Sequence, residues 1–189
     1  FKFTKVANPA YGMAEAFLTM AEALNRGEPD RTSLFYARLA QKLRPDLVDA
    51  TLIIAEIFEL EGQHVLASEA YGDVPRNSPS FMNAEIGRAE VLRQAGDVEQ
   101  ATDILVDLAD DFPDDVLVLN ALGDIYRGAD NFAVAADAYT RAIDSIEQQE
   151  QRHWVLFYTR GISHESMKNW DAAEADFRHA LELSPDQPF

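Results

Sequence analysis

Leu119-Asn120-Ala121-Leu122-Gly123-Asp124-Ile125-Tyr126 is followed, nine residues after Tyr126, by Ala135-Ala136-Asp137-Ala138-Tyr139-Thr140-Arg141-Ala142. Leu119, Leu122 and Tyr126 recur at spacings of three and four, which places them on one face of a helix. Ala135, Tyr139 and Ala142 do the same in a second helix, and Asp130-Asn131-Phe132 marks a turn between the two. The same arrangement returns on either side. Pro45, Pro79 and Pro113 lie 34 residues apart, and Pro185 follows after 72, which is 34 plus 38. Ala67, Ala101 and Ala135 keep the 34-residue step, then Ala173 comes after 38. Small residues recur again at Ala21, Ala55, Ala89, Gly123 and Gly161. Three columns share one period and absorb the same four-residue insertion, so the chain is a tandem repeat. The insertion falls between Ala142 and Trp154, in the polar run Glu147-Gln148-Gln149-Glu150-Gln151-Arg152. It adds about one helical turn.

Each unit is thus a pair of amphipathic helices. Small residues stand where the two cross closely, large aromatics fill the space beside them, and proline ends the second helix. Asp46, Asp114 and Asp186 each follow a proline and can cap the next helix. The pattern Leu122-Gly123-x-x-Tyr126, Ala135-x-x-x-Tyr139 resembles the tetratricopeptide signature at its full spacing. So does Gly161 with Ala173-x-x-x-Phe177 and Pro185 in the last unit. The resemblance implies an all-α, right-handed superhelical solenoid of five helical hairpins over residues 14–189. Its repeats run at about 14–47, 48–81, 82–115, 116–153 and 154–187, after a lead-in segment 1–13. Departures are visible. Ser33 and Ala37 stand where alanine and a large residue are usual, Gly72 and Pro75 should end the second helix of repeat two early, and Arg88 and Arg160 replace the apolar residues of the Met20, Ile54 and Leu122 column. Each arginine is expected to pair with a carboxylate on a neighbouring helix. The second helix of the fourth repeat is expected to absorb the insertion and run past Ile143 towards Gln148.

The 189 residues are 47% hydrophobic and 26% charged, enough apolar surface to offset the entropy of ordering the chain. Thirty-three acidic against sixteen basic side chains leave a net charge of −17, without a basic cluster. Nucleic acids and anionic membrane surfaces need such a cluster, so both are disfavoured as partners. The absence of cysteine excludes disulfides and thiolate chemistry. No apolar stretch approaches the roughly 18–20 residues of a membrane span. The chain begins at Phe1 without an initiator methionine, so it is read as a piece of a longer protein that a signal segment could precede. Catalytic and metal chemistry lack their signatures. His164-Glu165 opens like H-E-x-x-H, but Lys168 stands at the second histidine position. Asp110, Asp111, Asp114 and Asp115 lack the alternating ligands and central glycine of a calcium loop. The chain is read as a non-enzyme without cofactor.

In tetratricopeptide arrays the first helices line a concave face, and the resemblance implies that the second, fifth, ninth and twelfth places of each repeat point into it. The fifth place holds Leu18, Leu52, Ile86, Asn120 and Tyr158; the ninth Glu22, Glu56, Glu90, Asp124 and Ile162; the twelfth includes Glu59, Arg93, Arg127 and Glu165. These form an apolar track beside a ladder of carboxylates, suited to a protein or peptide carrying basic and apolar residues. The resemblance implies that family members gripping a C-terminal carboxylate use lysines, arginines and asparagines here. This face has no lysine, since the four lysines are Lys2, Lys5, Lys42 and Lys168. The expected function is therefore a protein-interaction scaffold or adaptor. A structural, self-associating array is the alternative. The run Arg160-Gly161-Ile162, Trp170-x-Ala172-x-x-Ala175-Asp176-Phe177 and Ala180 to Pro188 also resembles large exported proteobacterial proteins of this family. That implies a periplasmic or outer-membrane-associated parent, in some cases an adaptor for an envelope protease, with the cytoplasm as the alternative compartment. The last helix, with Ala173, Phe177, Ala180 and Leu181, is expected to leave apolar surface open to self-association.

Overall fold

The first helix, α1 (Pro9–Leu24), begins where the sequence supplies a cap. The Asn8 side-chain oxygen accepts from the Ala10 N–H at 3.0 Å, and Pro9 occupies the first turn, where a missing N–H costs nothing. This start lies within the span read as a lead-in. The computed structural model describes residues 8–25 and 31–186, so residues 1–7 of that span lie outside it.

Ten α-helices and one 3-10 turn make up the described residues, with no strand among them. The fold is an all-α array of tetratricopeptide-type helical hairpins. Two units divide the chain. In Phe1–Asp97, α1 packs on α2 (Arg31–Leu43), both touch α3 (Val48–Leu60), and α4 (His64–Gly72) lies between α3 and α5 (Phe81–Ala95). In Val98–Phe189, α6 (Val98–Asp111), α7 (Val116–Gly128), α8 (Phe132–Asp144), α9 (Trp154–Ser166) and α10 (Trp170–Leu183) pack each on the next. The 3-10 turn (Gln151–His153) leads into α9.

The turns inside successive hairpins share one hydrogen-bond design. The N–H groups of Gln63, Asp97, Asn131 and Asn169 return to the carbonyls of Phe58, Leu92, Tyr126 and His164 at 2.8–2.9 Å. This closure requires a left-handed residue just past the helix end. Gly62 (φ 70°) and Gly96 (φ 89°) meet it without steric cost, whereas Asp130 (φ 59°) and Lys168 (φ 61°) carry a Cβ there. Lys168→Gly is accordingly expected to stabilise the second unit by roughly 0.5–1 kcal/mol, the relief of Cβ strain less the added chain entropy. Denaturant melts of the two proteins measure it.

Packing follows the small-residue columns. A Cβ built on Gly123 would stand 2.5 Å from the Tyr139 ring, and one on Gly161 2.7 Å from the Phe177 ring. Those aromatics therefore occupy the volume a larger residue would need. Ser33 takes an alanine position and is fully buried, but its hydroxyl donates to the Ala21 carbonyl at 2.8 Å and so is satisfied. As expected, α4 ends early, at Gly72.

Three expectations fail. First, α8 stops at Asp144 and is no longer than α6 or α10. Glu147 would have been an acid in the last turn of an extended helix, where the helix dipole repels it. The inserted residues instead form a turn closed by a capping box, with the Glu150 N–H donating to His153 Nδ1 at 2.8 Å. Gln149 and Gln151 tie the turn to His179 and Ser184 at 2.6 and 3.3 Å. Second, the cap of α7 is Asp115, not Asp114: its carboxylate accepts from the N–H groups of Leu117 and Val118. Leu47 rather than Asp46 stands at the start of α3. Third, Arg88 pairs with Glu85 on its own helix at 3.5 Å and lies over Gly72. Arg160 does cross to a neighbour. It makes a two-pronged pair with Asp176 of α10 at 2.8 and 2.6 Å and donates to Thr140 of α8 at 3.1 Å. The sequence columns explain the difference: Asp176 corresponds to Ile104 in the repeat of Arg88, so that arginine has no matching acid.

Candidate protein-binding surface

Helical periodicity puts the fifth, ninth and twelfth places of a repeat on adjoining parts of one face of its first helix. In the first unit this concerns α1, α3 and α5. Leu18 is buried in the core, so it contributes little to an open apolar track, while Leu52 and Ile86 are half-buried. Glu22 on α1 and Glu56 on α3 are exposed, and neither has a hydrogen-bond or ion-pair partner among the described residues. Burial of part of its surface, and then the neighbouring Glu59, push the Glu56 carboxyl above the usual range. Glu59 accepts from the Tyr71 hydroxyl at 2.8 Å. On α5 the situation reverses. Glu90 takes two bonds from Arg93, at 2.8 and 2.6 Å, and one from Gln94 at 2.8 Å. The Arg93 hydrogen bonds hold its carboxyl below the usual range, outweighing desolvation.

In the second unit Asp124 is half-buried and more thoroughly occupied. Tyr139 donates its hydroxyl at 2.7 Å, Asn120 its amide at 3.1 Å, and Arg127 a guanidinium N–H at 3.2 Å. Arg127 also donates to the Tyr139 oxygen at 3.2 Å. On α9, Tyr158 and Ile162 are half-buried and Glu165 is exposed. Tyr158 lies 5.8 Å, centroid to centroid, from both Trp154 and Phe177.

The ninth-place acids are thus of two kinds. Among the described residues nothing compensates the charge of Glu22 or Glu56, whereas Glu90 and Asp124 are neutralised within their own repeats. Sequence reading treated all four alike and missed Tyr71 and Tyr139, whose hydroxyls reach from the second helices to groups on the first. A signal was present, since tyrosine stands at these two places where the fifth repeat has Phe177.

Other chemistry is sparse among the described residues. No group of three or more histidines and carboxylates is arranged to hold a metal, and no helix is long and apolar enough to cross a membrane. His164 is half-buried, its Nε2 3.9 Å from Asp176.

Two models described as tetratricopeptide repeat match residues 86–150 and 154–187, together more than half of the chain. No curated protein sequence matches it. Among solved structures, MamA (41-end) from Desulfovibrio magneticus RS-1 aligns with a TM-score of 0.74 at 17% identity, covering 94% of this chain and 98% of its own. YrrB, a TPR protein with an unusual peptide-binding site, aligns with a TM-score of 0.67 at 15% identity over 96% of this chain and 88% of its own. A chain of the Cut9–Hcn1 hetero-tetramer of the APC/C aligns with a TM-score of 0.70 at 19% identity, over 96% of this chain but only 35% of its own. At these identities the likeness concerns the fold. With the repeat columns, the turn geometry and both family models in agreement, the chain belongs to the tetratricopeptide repeat family.

Proposed function

We propose that this chain is a scaffold or adaptor that holds a segment of another protein against its first helices, and that the segment carries basic side chains beside apolar anchors. The observation that carries this reading is the pair of carboxylates Glu22 and Glu56, which have no cation among the described residues, on the packed helices α1 and α3, with the half-buried Leu52 beside them. Ionised Glu56 is partly desolvated next to Glu59 and has no cation beside it among the described residues, so a basic side chain from a partner would relieve an existing cost. In the first unit Ile86, Glu90 and Arg93 belong to the proposed face; in the second unit Asn120, Asp124, Arg127, Tyr158, Ile162 and Glu165 take the corresponding places, the internally paired acids serving more to shape the surface than to attract. A periplasmic or outer-membrane-associated setting, with the partner an envelope protease or assembly factor, is the finer form of the proposal. It rests on the resemblance of the last repeat to exported family members.

The test compares Glu22→Gln/Glu56→Gln with Glu90→Gln, using a fluorescent peptide that alternates lysine with leucine. The double variant should associate roughly five-fold more slowly at low salt, with a flatter salt dependence, because charge acts mainly on the encounter rate. Glu90→Gln should change the rate much less. An unchanged rate in the double variant would remove these acids from the site. Stability gives an independent reading with opposite signs. The raised Glu56 carboxyl favours its protonated form in the fold, so its contribution is present at low pH and lost as pH rises past about 4.5. The lowered Glu90 carboxyl contributes above that pH and fades as pH falls below it. Glu56→Gln should therefore raise the melting temperature at pH 7 and Glu90→Gln should lower it, with both differences shrinking near pH 4.

A further inference from the structure

The ninth and twelfth places of a repeat stand one helical turn apart on its first helix, close enough for their side chains to meet. In repeat three Arg93 closes on Glu90, its Nε and Nη2 reaching both carboxylate oxygens at 2.8 and 2.6 Å. In repeat four Arg127 donates from Nη2 to Asp124 and from Nε to the Tyr139 oxygen, both at 3.2 Å, while the Tyr139 hydroxyl donates to Asp124 at 2.7 Å. Repeat two lies 68 positions earlier, two steps of 34, and there Asp124, Arg127 and Tyr139 become Glu56, Glu59 and Tyr71. The carboxylate and the phenol are kept, but a second acid replaces the cation. Tyr71 is buried, with its ring on the Gly87 backbone, where a Cβ would stand 3.0 Å away. Its hydroxyl donates to Glu59 at 2.8 Å, and its oxygen accepts no hydrogen bond among the described residues. No other repeat has this set, since the tyrosine place holds Ala37, Leu105 and Phe177 in repeats one, three and five.

We infer that repeat two takes from its partner the cation that its own sequence omits: one arginine side chain, its guanidinium bridging Glu56, Glu59 and the Tyr71 oxygen as Arg127 bridges Asp124 and Tyr139. The inference rests on the peptide-binding role proposed above and names one anchor of the bound segment. Arginine is favoured over lysine on geometry. Two carboxylates and a phenol oxygen, contributed by α3 and α4, suit a planar fork of five N–H donors better than a compact, strongly hydrated ammonium. Where this chain neutralises a ninth-place acid itself, in repeats three and four, it also uses arginine. Glu56 and Glu59 are like charges one turn apart, a repulsion that a guanidinium between them would turn into attraction. The apolar neighbour fits as well. Leu52 stands where Asn120 donates its amide to Asp124 in repeat four, so the acids of repeat two gain no such internal bond. Half-buried Leu52 offers instead an apolar surface for the methylenes of an incoming arginine.

Two fluorescent peptides of equal length and charge test it by anisotropy titration of the whole chain, leucine alternating with arginine in one and with lysine in the other. The arginine peptide should bind the wild type at least about five-fold more tightly, through its added charge-assisted hydrogen bonds. Tyr71→Phe keeps the ring on Gly87 and removes the phenol oxygen. Glu59→Arg supplies the cation from within, as in repeat four. Either change should bring the two peptides to within about two-fold of each other. Glu61→Arg makes the same charge change at an exposed residue outside the set and should leave the preference intact. Variants are compared at wild-type helix content, read by circular dichroism. Equal binding of the two peptides to the wild type would overturn the arginine anchor and leave the adaptor role standing, whereas binding of neither would overturn both. A preference that survives Tyr71→Phe and Glu59→Arg would place the arginine elsewhere, and one that Glu61→Arg removes as fully would reduce it to net charge. Either result overturns the inference.

Discussion

Replacing Tyr139 by alanine is expected to destabilise the second unit by about 3–5 kcal/mol, the range for removing a large buried aromatic and leaving its cavity. The ring is fully buried against Gly123, and its hydroxyl ties Asp124 to Arg127. Tyr139→Phe keeps the volume and loses only the hydroxyl, so its cost should be nearer 1–2 kcal/mol. The two variants separate packing from hydrogen bonding. Gly123→Ala should be poorly tolerated in the wild type, where the new methyl would collide with the ring, and tolerated in Tyr139→Ala, where the space is free. Urea melts of the four proteins close the cycle, and additive costs for Gly123→Ala and Tyr139→Ala would contradict the packing described here. Alkali adds a further check. Burial first, then the nearby Asp124 carboxylate, push the Tyr139 phenol above its ordinary value. The folded state thus keeps a proton that the unfolded chain releases near pH 10, and this contribution to stability should be lost as pH rises above 10.

The second large effect concerns Asp176, which is buried and paired with Arg160. Asp176→Ala leaves the guanidinium, itself mostly enclosed between α8, α9 and α10, without its counter-charge, and should cost about 3–5 kcal/mol. The double variant Arg160→Leu/Asp176→Ala should recover most of that loss, because it restores the Leu122 and Ala138 combination of the preceding repeat. Thermal unfolding of the single and double variants measures both. Equal losses in the two would show that the ion pair is worth far more than an apolar contact in this place.

The architecture was legible because repetition amplifies weak signals. One alanine or one proline says little, but a column of them at a constant step can be satisfied only by stacked hairpins, each burying its apolar stripe on the next. The turns were legible for a similar reason, as Gly62 and Gly96 supply the left-handed residue that a closed helix end demands. The insertion was placed correctly but misread in form. Helical periodicity indicates which residues share a face. It does not register that an acid at 147 opposes the end of a longer helix, nor that Glu150 and His153 can cap a new turn against α10.

Sequence alone determined the family and the repeat step, because those follow from local spacing along a helix; the residues of the proposed binding face came from the family resemblance. Only the tertiary structure decided what each of those residues does. Glu22, Glu56, Glu90 and Asp124 occupy one column and look equivalent as letters. Their charges differ in effect because compensation depends on the distance and direction of side chains from elsewhere: Arg93 folding back on Glu90, Tyr139 reaching Asp124 from another helix, and no described side chain bonding to Glu56. The same holds for Arg88 and Arg160, alike in register, of which one finds an aspartate across the helix crossing and the other only a glutamate on its own helix. Coulomb interactions fall with separation and strengthen with burial, and both are properties of the packed chain.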